Sequence, residues 1–272
     1  MTVRCTIFTI MKRLCLIVLV SFLVIVIGII AVVEKWATTD QGHLPPKTAV
    51  ILYAINHNLV TLDMTPPRWL THSSQPSSIS KNDTLISVSD GSQIPVRIYT
   101  PRGEGPFPII LYYHGGAFLE GLGSIETHDN VARTLASQTN SIVISVGYRL
   151  APTYMFPTAI EDSYDALVWA KENASRINGD ITKMAVAGDS AGGNIATVVA
   201  MMSRDRHGPD LKAQVLFYPV TTFLDEPWPS REQYADGYYL LSSEVMALAR
   251  NLYAPDQQMW TSPYTSPLHA AD

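Results

Sequence analysis

The stretch that decides the fold runs from residue 188 to residue 194 and reads Gly188-Asp189-Ser190-Ala191-Gly192-Gly193-Asn194. It follows an apolar run at residues 184–187 and precedes a helix-like run at residues 195–201. A strand, a Gly-x-Ser-x-Gly sequence and a helix in this order form the nucleophile-elbow pattern, in which a sharp turn exposes the serine hydroxyl. Because short Gly/Ser strings also occur in ordinary loops, the motif alone leaves a plain glycine-rich turn open.

A second pattern lies upstream and strengthens the first. Residues 108–113 are apolar, β-branched or aromatic and begin with a proline, which predicts a buried strand. The strand leads into a histidine and three small residues, His114, Gly115, Gly116 and Ala117, before Phe118. Small residues after a central strand let backbone N–H groups approach a carbonyl oxygen that becomes negative in the transition state. One such oxyanion donor typically lowers a barrier by about 3 to 4 kcal/mol.

Together these patterns resemble the hormone-sensitive-lipase-like family of esterases, a group of α/β-hydrolases. The segments that carry the resemblance are His114-Gly115-Gly116-Ala117-Phe118, Tyr148-Arg149-Leu150-Ala151-Pro152, Phe156-Pro157-Thr158-Ala159, Asp162, residues 188–194, Tyr218-Pro219 and Ser266-Pro267-Leu268. The resemblance covers roughly residues 85–269. Ala117 stands where the family often has a third glycine, and Thr153 stands where it usually has glutamate.

The resemblance implies hydrolysis of small-molecule carboxylic esters of short or medium acyl chain, without a metal or nucleotide cofactor. Ser190 is then the nucleophile that forms an acyl-enzyme. Its oxyanion hole takes the N–H group of Ala191 and two of the three N–H groups of Gly115, Gly116 and Ala117. The sequence does not decide which two of the three donate. His114 is predicted to order that loop, and Asp189 to fix neighbouring backbone.

The sequence offers no clear base for Ser190. In this fold the triad runs serine, acid, histidine, and the family places the last two at positions beyond residue 272. Within the chain, His128 is predicted to be a helix cap or a group that supports the site, His207 a solvated surface residue, and His269 part of a frayed end. The interpretation that follows is an esterase whose sequence is incomplete. The alternative is a catalytically inactive, truncated hydrolase fold that acts as a membrane-tethered binding module.

A membrane segment precedes this region. Residues 14–33 contain no charged residue, and sixteen of the twenty are Leu, Ile, Val or Phe. Those sixteen favour membrane insertion by about 5 to 10 kcal/mol in total. The stretch is longer than the apolar core of about 7 to 15 residues in a cleaved signal peptide. An uncleaved signal anchor is therefore predicted, with a secreted protein as the alternative.

Charge predicts the orientation and excludes one class of partner. Arg4, Lys12 and Arg13 precede the span, which places the N-terminus in the cytoplasm and the hydrolase domain on the extracytoplasmic side. Subtracting their +3 from the net charge of −5 leaves −8 for the remainder. An acidic domain without basic clusters is a poor binder of nucleic acid. The two cysteines, Cys5 and Cys15, lie in or before the span, so no disulfide is predicted in the domain.

Periodicity predicts the rest of the organisation. Strands are expected at 85–89, 94–99, 109–113, 141–146, 183–187 and 213–218, and helices at 129–137, 158–171, 194–203 and 243–253. This alternation indicates an α/β-hydrolase fold with a mostly parallel central sheet and helices on both faces, preceded by a transmembrane helix. The last strands of the fold are missing, which leaves 213–218 as an exposed edge.

The predicted divisions are a basic cytoplasmic leader (1–13), a transmembrane signal anchor (14–33), a linker or lid-like segment (34–80) and an incomplete hydrolase domain (81–272). Within the linker, residues 49–62 are apolar and compatible with a helix. This helix is interpreted either as part of a lid over the active site or as an amphipathic helix lying on the membrane. Phe118, Leu119 and the aromatic residues at 228, 234, 238 and 239 are expected mainly to pack, with an acyl pocket as the alternative.

Overall fold

A computed structural model of the protein describes residues 2–40, 42–59, 79–235 and 237–271. The chain divides into two compact units: residues 1–64 with 238–240, and residues 65–237 with 241–272. The prolines at positions 66, 67 and 76 of the predicted linker or lid-like segment lie outside the described residues.

The first unit is built on one long apolar helix. Helix α1 spans Thr2–Ala37 and is followed by the short antiparallel strands β1 (Thr38–Thr39) and β2 (Gly42–His43) and by helix α2 (Pro46–Asn56). Residues Arg13–Ala37 have a mean hydropathy of 3.5 and are long enough to cross a membrane. A signal sequence near an N-terminus can meet the same criteria of length and hydropathy. The predicted span, 14–33, lies within this segment.

Helix α2 packs against the end of α1 through aromatic rings and small buried side chains. The rings of Trp36 and Tyr53 stack with centroids 3.8 Å apart, and His57 stacks on Tyr53 at 3.9 Å. Ala49 and Leu52 are buried, whereas Val50 and Ile51 on α2 are exposed. Both interpretations of this helix, a lid or a membrane-lying helix, remain predictions.

The second unit contains a six-stranded sheet in the order β3-β4-β6-β5-β7-β8. Its strands are β3 (Ile79–Ser87), β4 (Gln93–Pro101), β5 (Phe107–Tyr113), β6 (Ile142–Val146), β7 (Gly179–Asp189) and β8 (Leu211–Phe217). Strand β4 pairs antiparallel with β3 and β6, and the pairs β6–β5, β5–β7 and β7–β8 are parallel. The predicted α/β-hydrolase fold with a mostly parallel sheet is confirmed. Strands β3 and β4 form a hairpin around Asp90 and Gly91, where Gly91 has φ +86°.

Helices cover both faces of this sheet, as the alternation of side chains along the strands requires. They are α3 (Asp129–Thr139), α4 (Thr158–Glu172), α5 (Ala191–Asp205), α6 (Pro229–Gln233) and α7 (Ser243–Tyr253), with 3-10 turns at Ala174–Ile177, Gln257–Thr261 and Pro267–His269. Ile109, Leu111 and Tyr113 of β5 join the larger core cluster with α4 and α5. Tyr112, between them, joins the smaller cluster with Ala132 of α3.

A buried ion pair connects the chain after β6 to α4. The carboxylate of Asp162, whose side chain is 1% exposed, accepts hydrogen bonds from the backbone N–H and from Nε and Nη2 of Arg149, at 3.0, 2.9 and 2.6 Å. A buried carboxylate needs such a partner, because an isolated buried charge costs several kcal/mol. Asp162 therefore attaches the segment after β6 to α4.

Strand β8 lies at the edge of the sheet and pairs with β7 alone among the described strands. Val215 and Phe217 are each 42% exposed, so the strand presents apolar side chains at an open edge, as the sequence predicts. A depression of about 610 Å³ runs along this edge between residues 200 and 214. None of the predicted site residues lines this depression. It is therefore interpreted as the uncovered edge of the sheet and not as a candidate site.

Candidate active site

Ser190 occupies a tight turn between β7 and α5. Its backbone has φ 52° and ψ −117°, a region that non-glycine residues rarely occupy, so surrounding contacts must hold it there. The N–H of Ser190 donates to the carbonyl of Phe217 at 2.9 Å, and the N–H of Val220 donates to the carbonyl of Ser190 at 3.1 Å. The turn is thereby bound to the last residue of β8 and to the segment that follows it.

Close backbone approach explains a glycine two residues later. A Cβ added to Gly192 would lie 2.0 Å from the carbonyl oxygen of Tyr113 and 2.6 Å from that of His114. Both atoms belong to backbone that is fixed by β5, so neither can move away cheaply. The elbow and the loop after β5 therefore touch through their main chains.

The loop after β5 has an unusual backbone course. Gly116, Ala117 and Phe118 have consecutive φ values of +124°, 56° and 64°. A Cβ on Gly116 would lie 2.7 Å from the backbone nitrogen of Gly123, so a larger residue does not fit there. This course places Ala117 and Phe118 beside Ser190 at the rim of one cavity.

His114 lies inside the loop as a neutral ring. It is 1% exposed, stacks on Tyr148 with ring centroids 4.4 Å apart, and its Nδ1 lies 2.8 Å from the carbonyl oxygen of Gly115. The hydroxyl of Tyr148 donates to the carbonyl of His114 at 2.5 Å. Burial lowers the pKa of His114 to about 4, although the bond to Gly115 acts in the opposite direction. The imidazole is uncharged near neutral pH.

The carboxylate of Asp189 connects this loop to the elbow. Its Oδ1 accepts the N–H of Gly115 at 2.9 Å and the hydroxyl of Tyr112 at 2.6 Å, and its Oδ2 lies 3.4 Å from Nε2 of His128. Burial acts to raise the pKa of Asp189, but the bonds from His128 and Tyr112 outweigh it, and the pKa lies below its usual value. The side chain is ionised near neutral pH.

That contact also separates the predicted oxyanion donors into two groups. The N–H of Gly115 is engaged with Asp189. The N–H groups of Gly116, Ala117 and Ala191 donate to no other described residue, which leaves them available for a ligand. The sequence could not make this distinction, because it depends on where one carboxylate points.

His128 faces Asp189 and does not cap its helix. It stands at the N-cap position of α3 without a side-chain capping bond, and its Nδ1 lies 2.9 Å from Oγ1 of Thr127 and 3.1 Å from the carbonyl oxygen of Ser124. Burial acts to lower the pKa of His128, but the Asp189 carboxylate outweighs it and raises the pKa above the usual value. Of the two predicted roles, the supporting one fits this geometry.

His269 differs from its prediction. It ends the 3-10 turn Pro267–His269, and its Nε2 lies 3.0 Å from Oγ1 of Thr222 and 3.5 Å from a carboxylate oxygen of Glu226. The N–H of Leu268 also donates to the carbonyl of Thr221 at 3.0 Å. The expectation of a frayed end was wrong, because these bonds attach the turn to the loop after β8. His207 is exposed, as predicted.

A cavity of about 70 Å³ opens beside Ser190 and is lined mainly by apolar side chains. Phe118 lines it and also packs in the core, stacked on Tyr253 with centroids 4.1 Å apart. Leu119 belongs to the core, and neither Trp228 nor Tyr234 is among the residues that line the cavity in the described part of the chain. Sequence reasoning missed the arginines at 231 and 250, because no local motif marks them.

The elbow and the loop after β5 fall within a segment that matches a known family model. That model, described as an alpha/beta hydrolase fold, matches residues 110–272. The chain belongs to the hormone-sensitive-lipase-like family of α/β-hydrolases. Its members similar to this chain include several that are named esterases.

Two such relatives are a carboxylesterase, NlhH, from Mycobacterium tuberculosis and an arylesterase from Saccharolobus solfataricus. The first is 49% identical over 165 residues, which is 60% of this chain and 50% of the relative. The second is 39% identical over 190 residues, 70% of this chain and 60% of the relative. The chain thus spans about half the length of the relatives it matches.

Solved structures give the same result. A hyperthermophilic esterase from the archaeon Pyrobaculum calidifontis superposes with a TM-score of 0.68 and is 44% identical in sequence. The match covers 71% of this chain and 62% of that one. The fold of the second unit is therefore the fold of this family.

We predict that Gly192→Ala disrupts the elbow. The added Cβ has no space against two backbone carbonyls, so the free energy of unfolding should fall by about 3 kcal/mol or more. Denaturant unfolding of the full chain in detergent micelles measures this loss. Gly28→Ala is the control, since a Cβ there meets nothing within 4 Å. Equal stability of the two variants would contradict the close approach.

We predict that His128→Asn destabilises the protein more at pH 5 than at pH 9. The raised pKa of His128 gives stability that is complete below the usual value of 6.5 and is lost as the pH rises through the raised value. The lowered pKa of Asp189 gives stability that is present above 3.8 and is lost only in more acidic solution. Both groups are therefore charged at pH 5, which also lies above the pKa of His114.

Urea unfolding of the wild type and the variant at both pH values gives the two differences. His207→Asn, at an exposed histidine, is the matched control. Its effect on the free energy of unfolding should be the same at pH 5 and at pH 9. A loss of the same size at pH 5 and pH 9 would show that the ion pair does not carry the effect.

Proposed function

We propose that the protein hydrolyses carboxylic esters through an acyl-enzyme on Ser190. The observation that carries the proposal is the meeting of the strained elbow and the loop after β5, which leaves three N–H groups free beside the serine. A nucleophile flanked by N–H donors that have no other partner is the arrangement acyl transfer requires. Membership of a family whose named relatives include esterases supports the same reaction.

In this proposal each group has a separate task. The Ser190 hydroxyl oxygen attacks the ester carbonyl as its proton passes to the base, and the N–H groups of Gly116, Ala117 and Ala191 hold the negative charge that forms on the carbonyl oxygen. The C–O bond to the alcohol then breaks, and the alcohol leaves with that proton. Water, deprotonated by the same base, hydrolyses the acyl-enzyme and frees the acid and Ser190. Gly115 does not donate to the oxyanion, because its N–H holds Asp189. His114 and Asp189 fix the loop and do not transfer protons. Each oxyanion donor would lower the barrier by about 3 to 4 kcal/mol.

The base that activates Ser190 is proposed to come from residues that follow position 272 in the full protein. In the described part of the chain, Oγ of Ser190 makes no hydrogen bond to a histidine, and His269 is engaged with Thr222 and Glu226. A serine hydroxyl is a weak nucleophile without an adjacent base. The competing function, an inactive hydrolase fold that binds a ligand at a membrane, needs no base.

We further propose that α1 anchors the protein in a membrane, with its N-terminus in the cytoplasm and the hydrolase unit on the other side. The apolar segment Arg13–Ala37 supports the span, and Arg4, Lys12 and Arg13 at its start support the orientation. A cleaved signal peptide that releases a secreted esterase is the alternative.

A fluorophosphonate probe tests the serine. We expect it to label the full protein in its native membranes covalently, because phosphonylation requires an activated hydroxyl. Ser190→Ala should abolish labelling, and Ser87→Ala, at an exposed serine of β3, should leave it unchanged. No labelling of folded protein would eliminate the esterase proposal.

The same preparation distinguishes the inactive fold. An intact mass near 30.0 kDa, together with absence of labelling, would favour the binding module. A larger mass with labelling would agree with a base supplied by further residues.

Alkaline carbonate washing of membranes tests the anchor. We expect the protein to stay in the membrane fraction with α1 attached, because the sixteen branched or aromatic apolar residues of 14–33 favour insertion. Protease added from the cytoplasmic side should leave the hydrolase unit intact. A soluble protein whose N-terminus lies after the apolar segment would instead establish a cleaved signal.

A further inference from the structure

The cavity beside Ser190 is lined by two arginines as well as by residues of the loop after β5. Ser190, Ala117 and Phe118 line it, and so do Arg231 of α6 and Arg250 of α7. The side chains of these arginines are only 22% and 11% exposed. Guanidinium groups are rarely this buried unless they are paired, so their partners need to be accounted for.

The guanidinium of Arg250 makes several contacts, but one of its N–H donors has no partner among the described residues. Its Nη1 donates to the carbonyl of Phe223 at 2.6 Å and lies 2.8 Å from a carboxylate oxygen of Asp225, and the guanidinium carbon lies 3.8 Å from the centre of the Trp260 ring. Its Nε is buried and donates to no described residue. An unpaired buried donor on a charged group is costly, and such an atom in a native structure requires an explanation.

Among the described residues, the two arginines share one carboxylate within ion-pairing distance. Nη1 of Arg231 donates to the carbonyl of Leu224 at 2.5 Å and lies 3.8 Å from Asp225. Asp225 is thus shared between both arginines, and its side chain is 73% exposed, so water weakens its field. Among the described ion pairs, Glu226 pairs with His269, and no second carboxylate reaches either guanidinium.

We propose that this cavity selects esters whose acyl group ends in a carboxylate, such as half-esters of short dicarboxylic acids, and that Arg250 and Arg231 bind that carboxylate. Guanidinium groups match carboxylates in charge and in planar geometry. A volume of about 70 Å³ has room for only a few water-sized groups, since each needs about 10 to 15 Å³, and therefore admits only a short acyl chain. The proposal rests on the proposed function, because it assumes that the ester carbonyl lies at Ser190.

The plainer explanation is that both arginines only attach the loop after β8 to α6 and α7. It accounts for the bonds to the carbonyls of Phe223 and Leu224. It gives no reason for two guanidinium groups at the wall of a cavity that Ser190 also lines.

Ligand binding to the full protein carrying Ser190→Ala tests the proposal without catalysis. Monomethyl succinate is compared with methyl succinamate, which has the same shape but a neutral amide in place of the carboxylate. We expect monomethyl succinate to bind at least about tenfold more tightly, measured by calorimetric titration in detergent micelles, because its bonds to arginine are charge-assisted.

Arginine variants in the same background locate the effect. Arg250→Gln and Arg231→Gln should each reduce the preference for the charged ligand, and Arg176→Gln, at an exposed arginine far along the chain, should retain it. Circular dichroism identifies a variant that fails to fold. If one of the two arginine variants does not fold, the ligand preference of the other variant tests the proposal. Equal affinity for both ligands, or a preference that survives both substitutions, would overturn the proposal.

The two proposals can fail separately. Fluorophosphonate labelling of the wild type without any preference for monomethyl succinate would leave the esterase proposal intact and remove the carboxylate site. A preference without labelling would keep the carboxylate site and remove the esterase.

Discussion

The contact between the Asp189 carboxylate and the backbone N–H of Gly115 joins the two halves of the site. Asp189 ends β7 next to the serine, and Gly115 begins the loop after β5, so a single bond of 2.9 Å fixes two segments that are far apart in sequence. The charge on Asp189 is maintained in a partly buried place by Tyr112 and His128. Removing that charge would weaken the bond between the loop and the elbow, even though the carboxylate itself does not touch a substrate in the proposed reaction.

The parallel pairing of β5 and β7 makes this contact possible. Neighbouring parallel strands end at the same edge of the sheet, and here Tyr113 stands opposite Gly188 in the register. The residues that follow each strand therefore meet without long connections. The close approach of Gly192 to the carbonyl of Tyr113 belongs to the same arrangement, because only a residue without a side chain lets α5 begin so near β5.

The sequence predicted these parts to different degrees. Strands, helices, the elbow and the loop after β5 follow from local patterns, since periodicity and glycine spacing report on neighbouring residues. The bond from Asp189 to Gly115, the neutral state of His114 and the firm placement of His269 depend on residues brought together by the fold, and no local pattern contains them. Arg250 is the extreme case, because it lies on a helix with an ordinary amphipathic pattern and reaches the cavity only through the packing of that helix.

The main-chain hydrogen bonds of Ser190 connect it directly to β8, the strand at the open edge of the sheet. The amide proton of Ser190 is held by Phe217, the last residue of β8, and its carbonyl is held by Val220 just after that strand. Any loosening of the edge strand is therefore transmitted to Ser190 with no intervening side chain. Hydrogen exchange at this one amide would record how firmly the outermost strand holds the serine, and any strand that pairs with β8 would slow that exchange.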